Sequence, residues 1–131
     1  MNLLTASIAA STLAICPLMA QETELSHASI AQEIIALLSD TELVLNSCRD
    51  KESVAAAIPE LRELAARARD IRTRQLTLPD SSLQEDISIA RSVPDFRTLW
   101  DAVSAHIERL QNENLMSDEL REVLCIAPTT R

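Results

Sequence analysis

Residues 53–76 read SVAAAIPELRELAARARDIRTRQL. Leu61, Leu64, Ala68, Ile71 and Gln75 step by three and four, which aligns them on one face of an α-helix. Most of the rest is Ala, Leu, Arg and Glu, the strong helix formers. Glu63 with Arg67, and Asp70 with Arg74, are i,i+4 pairs in the favourable order, each contributing roughly a few tenths of a kcal/mol. Pro59 interrupts the segment because it has no N–H to donate, and it biases Ile58 away from helical angles. Two readings compete, a kinked continuous helix or a short turn over 51–58 followed by a helix with Pro59 at its first position, and a break or sharp kink is expected there.

The same reading extends in both directions. Upstream, Ile30, Ile34, Leu38, Thr41, Leu45 and Cys48 share one face of a helix capped by Ser29 or Ser26. Ile35, Leu37 and Val44 widen that stripe, so this helix is expected to be covered on more than one side. CRDKES then breaks the chain, with Asp50 placed to cap the next turn through Ser53. Downstream, Pro79 stops the chain, and Ser81-x-x-Gln84 or Ser82-x-x-Glu85 makes a capping box. Leu83, Ile87 and Ala90 begin an apolar face that Pro94 interrupts. It resumes as Phe96, Trp100, Val103, Ile107 and Leu110. Ser117 caps a short last helix whose first turn holds Asp118 and Glu119, where the helix dipole favours acids.

Glycine is absent from all 131 residues, and so is tyrosine. Without glycine the chain lacks the dinucleotide-binding and P-loop fingerprints, and tight hairpin turns are disfavoured. The fold expected is therefore all-α: an antiparallel helical hairpin or three-helix bundle with a short C-terminal fourth helix. Short connections imply that successive helices are antiparallel neighbours. Phe96 and Trp100, the only aromatics, stand one turn apart and are expected to fill the core; a pocket lined by Trp100 is the alternative.

Residues 1–20 carry no charged side chain and hold the apolar stretch LLTASIAASTLAI, followed by Pro17 and a small Ala20 before polar QETE. This pattern predicts a secretory signal peptide cut between Ala20 and Gln21, although no Lys or Arg precedes the apolar run. The rivals are a lipid anchor at Cys16, opposed by bulky Ile15 and by Pro17, and a membrane anchor retained through residues 3–20. The expected organisation is signal peptide 1–20, N-terminal segment 21–28, helical domain 29–125 and tail 126–131, with export to the periplasm or outside.

After that cut the remaining 111 residues carry every charged side chain, 12 basic against 20 acidic, for a net charge of −8. An acidic chain repels phosphate backbones, so no nucleic-acid partner is expected. Eleven of the twelve basic residues are arginine, whose forked guanidinium suits carboxylate pairing. Arg74 is expected opposite Glu85 or Asp86. Arg67, Arg72 and Arg74 flank the apolar stripe, either as a solvated ion-paired face or as an anion or partner patch.

Cys48 and Cys125 would be the only thiols left in an oxidising compartment, which predicts an intrachain disulfide. Separate thiols or a bridge between chains are the alternatives. The two stand 77 positions apart, and closing such a loop contributes about 4–5 kcal/mol on the chain-entropy argument.

Neither His27 nor His106 has a second ligand at metal spacing on its own helix, and no haem, zinc-protease or serine-nucleophile motif occurs. No enzyme activity and no cofactor is expected. At Asp50-x-x-Ser53, the alanine run, Pro59 and the Leu61, Leu64, Ala65, Arg67 pattern, followed by Leu78-Pro79, the chain resembles small exported helical proteins of planctomycete and verrucomicrobial bacteria. The resemblance spans roughly residues 43–115. It implies an exported location and a helical architecture, and no activity. The leading expectation is a non-enzymatic exported module that binds another protein or the envelope, or associates with itself. The alternative is a small-ligand or metal-binding bundle using His106, His27 or Met116.

Overall fold

The computed structural model describes residues 25–126; the expected signal peptide, the expected Ala20–Gln21 cut and Cys16 lie outside that range. Four helices occur, α1 His27–Ser47, α2 Lys51–Leu76, α3 Leu83–Asn112 and α4 Asp118–Val123, with no strand among the described residues. The fold is an all-α bundle, as the spacing implies.

Local chemistry sets the helix starts. Ser26 caps α1 in a reciprocal box with Ser29, Asp50 caps α2 with Ser53, Ser82 caps α3 with Glu85, and Ser117 caps α4. The ends of α3 and α4 need a left-handed residue in a chain without glycine. Asn114 (φ 56°) and Cys125 (φ 55°) take that position. Leu115 N–H then donates to Leu110 O, and Ile126 N–H to Arg121 O.

Of the two readings at Pro59 the continuous helix holds and the break does not: α2 continues through Pro59, and α3 likewise through Pro94. A proline leaves the carbonyl four residues earlier without its helical donor. Those carbonyls belong to Ala55 and Ala90, and all four residues lie on exposed faces. Neither carbonyl is shut away from solvent, so the lost donor does not force a break.

The second difference concerns which helices touch. α1 packs against both α2 and α3, and α4 packs on α2. No Cα of α2 comes within 8 Å of one in α3, although only residues 77–82 join them. Ion pairs and hydrogen bonds set the register. Along α1–α3 they link His27 N–H to Glu85, Gln32 to Ser92 and Glu42 to His106, so those helices run parallel. Along α1–α2 they link Glu33 to Arg74 and Asp40 to Arg67, so that pair is antiparallel.

Burial is lopsided. Val44, Leu45, Cys48, Val54, Ala57, Ile58, Leu61, Val103, Leu110 and Leu120 form one cluster. It lies where α1 ends, α2 begins, α3 ends and α4 folds back. Toward the other pole, among the described residues, only Ile30 and Ile71 are buried. There Leu76, Leu83, Ile87, Val93, Phe96 and Trp100 are exposed.

Arg62, Arg67 and Arg74 serve as struts; the expected Asp70–Arg74 pair forms, while the other expected partners differ. Arg74 forks onto Glu33 of α1 (2.8 and 2.5 Å) and reaches back to Asp70 (2.9 Å), not to Glu85 or Asp86. Arg67 reaches Asp40 at 2.8 Å instead of Glu63. Glu85 instead accepts from the backbone N–H groups of Ser82 and His27.

These contacts predict acid sensitivity. The Arg74 guanidinium holds the Glu33 carboxyl below its usual range, while cap N–H groups do the same for Asp50 and Glu85. A depressed folded pKa stabilises the fold above the unfolded value, about 4 for these groups, and that contribution is lost as pH falls through the folded pKa. The melting temperature is expected to hold from about pH 7 to 5 and to fall below about pH 4. Glu33→Gln should flatten that fall. A melting temperature independent of pH down to about 2.5 would refute the assignment.

Candidate functional site

Because α1 separates α2 from α3, the two flanking helices form the walls of a groove with α1 as its floor. Its volume is about 490 Å³. Leu37, Leu38 and Thr41 line the floor; Leu61, Leu64, Ala65 and Ala68 line the α2 wall; Trp100, Val103 and Ile107 line the α3 wall. Val123, Leu124 and Cys125 close one end. The lining is apolar apart from Thr41, Ser104 and two charged side chains, Arg69 and Arg72.

Trp100 and Phe96 correct the expectation of a core pair. Trp100 is 54 % exposed and Phe96 40 % exposed. They stack on each other, centroids 6.2 Å apart and planes 10° apart. Phe96 also edges a smaller apolar recess of about 160 Å³ between α1 and α3, lined by Ile34, Ile35, Ile89 and Val93. The stacked rings thus link two apolar depressions into one surface. Aromatics carry the largest apolar area per side chain and are enriched at interfaces.

The three arginines singled out in the sequence part company. Arg67 and Arg74 are held by α1 carboxylates. Arg72 lines the groove together with Arg69, and neither makes an ion pair or side-chain hydrogen bond among the described residues. Arg69 is not among the site residues that the sequence singles out. Its position, one turn from Ala65 and next to Ala68 on the heptad face, is the available signal.

Cys48 and Cys125 are free thiols, so the expected bridge is not formed. Cys48 lies in the core with its thiol toward Val44 O at 3.4 Å, whereas Cys125 is exposed at the groove's end. Burial raises the Cys48 pKa. In the chain starting at Gln21, a thiol reagent is expected to modify Cys125 in seconds to minutes under native conditions. Cys48 should react only on unfolding. Absence of any reactive thiol before reduction would reinstate a disulfide.

The histidines and Met116 do not converge. His27 Nε2 donates to Pro79 O at one pole, His106 Nε2 meets Glu42 at 3.0 Å, and Met116 packs near the α4 turn. Among the described residues no three His, Cys, Asp or Glu side chains are grouped to hold a metal ion. No helix among them is long and apolar enough to cross a membrane. Comparison with protein-family models, curated proteins and solved structures finds no match to the chain.

Proposed function

We propose that this chain is an exported, non-enzymatic helical module that binds another protein through the α2–α3 groove. The observation that carries the reading is the groove itself: three helices turn apolar side chains toward a space that the described residues leave open, edged by the half-exposed Phe96–Trp100 stack. Contiguous exposed apolar surface is costly in water and marks interaction sites. Export rests on the uncharged apolar residues 1–20, on Pro17 and small Ala20 before the polar Gln21, and on the resemblance across residues 43–115.

A photo-crosslinking amino acid at position 100 tests this in the cells that make the protein. A discrete adduct to one identified protein is expected there. None is expected from position 105, which is exposed on the same helix but does not line the groove. Recovery of uncrosslinked monomer alone from both positions would end the interaction reading. A Met1-starting chain in the mature fraction would end the export reading.

A further inference from the structure

We infer that the occupant of the groove is an amphipathic α-helix of a partner protein, with acidic side chains flanking its apolar stripe. This rests on the interaction reading above and specifies its partner. The walls are helices whose backbone groups are already paired within themselves, so the groove offers no edge for strand addition and presents side chains only. A helix laid between α2 and α3 would take the vacant fourth corner of the bundle, opposite α1. The α2 wall runs from Leu61 to Arg72, about 16 Å at 1.5 Å per residue, or three helical turns.

Charge defines the flanks. The chain as a whole is acidic, at −8, yet the only charged side chains lining the groove are Arg69 and Arg72. No acid lines it, and neither arginine is neutralised by a carboxylate among the described residues. Every other arginine on α2 has one: Arg62 holds Glu119, Arg67 holds Asp40, and Arg74 holds Glu33 and Asp70. Two unspent guanidiniums beside an apolar channel match carboxylates set along the edge of an apolar helix stripe.

Trp100 is the only tryptophan of the chain and stands on the groove wall, so its fluorescence reports occupancy directly. The probes are two helical peptides of about 18 residues, long enough to hold a helix. Both carry leucine at i, i+3, i+4 and i+7 and lack tryptophan; one has glutamate at the flanking positions, the other lysine. Titrated into the chain starting at Gln21, the glutamate peptide is expected to shift Trp100 emission to the blue. It should bind about tenfold more tightly than the lysine peptide at low salt, with the preference fading as salt rises. The double variant Arg69→Glu/Arg72→Glu changes two exposed residues and should invert the preference while keeping the helical circular dichroism.

Equal binding, or preference for lysine, would overturn the acidic-helix inference and leave the interaction reading standing. Binding of neither peptide would overturn the helix as occupant; the adduct at position 100 judges the interaction reading separately. A blue shift that grows with protein concentration alone, with a doubled sedimentation mass, would assign the groove to a second copy. A Met1 chain with Trp100 already blue-shifted relative to the Gln21 chain would assign it to residues 1–20. Either result overturns the proposal.

Discussion

Leu45→Ala is expected to lower the unfolding free energy by about 3–5 kcal/mol, the upper range for truncating a fully enclosed leucine. Leu45 is 0 % exposed and belongs to the core cluster that α1, α2, α3 and α4 build together. Removal deletes the transfer free energy of the lost methyl groups and leaves a cavity. The cavity cannot collapse readily, because Leu110 of α3 and Leu120 of α4, in the same cluster, are themselves fully enclosed and held on different helices. A small domain has only about 5–15 kcal/mol to lose. The change therefore removes a large share of total stability. Urea denaturation should show the midpoint falling with an unchanged slope. Leu43→Ala, two residues away but 62 % exposed, should change stability by less than about 0.5 kcal/mol. Similar losses for the two variants would mean that the cluster is not the fold's main support.

Arg109→Met is the second large effect, at about 2–3 kcal/mol. The last carbonyls of any helix lack intrahelical donors. At the end of α1 one guanidinium adds donors: Nη2 donates to Leu45 O, which also accepts from Cys48 N–H at 3.2 Å, and Nη1 donates to the cap carbonyl Cys48 O, both guanidinium contacts at 3.0 Å. Nη1 also reaches Glu113 at 3.2 Å, which ties the clamp to the end of α3. The positive charge lies against the negative end of the α1 dipole, adding to the hydrogen bonds. Methionine keeps the apolar stem that packs along the helix and deletes the donors, so the loss measures the clamp and not the packing. Arg109→Lys should recover only part, because a single ammonium lacks the fork that spans two carbonyls. One atom counts against the clamp: buried Nε has no partner, which moderates the gain. Thermal melts of the unaltered chain and the two variants decide the matter. A melting temperature left unchanged by Arg109→Met would refute the clamp.

The two cases differ in what could be foreseen. Leu45 falls on a recurring apolar face, so its burial is legible from spacing alone. Arg109 carries no such signal. Its role depends on α3 running parallel to α1 and ending beside it, a relation between positions more than sixty residues apart.

The chain's own order of residues determined the four helices and their starts, because capping is local: a serine or aspartate side chain reaches an N–H three residues on, whatever the rest of the molecule does. It also determined which side chains share a face, since helical period is a property of the backbone. Only the tertiary structure decided what covers each face. Phe96 and Trp100 continue an apolar stripe that turns inward at Val103 and Leu110, yet they remain at the surface because α2 stands away from α3 at that height. Arg74 takes Glu33 over Glu85 because α1, not α3, lies beside α2, and the packing likewise buries Cys48 in the core and leaves Cys125 exposed. Pro59 and Pro94 are tolerated because the carbonyls they orphan lie on exposed faces. Spacing specifies a residue's direction from its own helix axis, whereas the distance to the next axis comes from the packing of all the helices together, and that distance is what opens the groove.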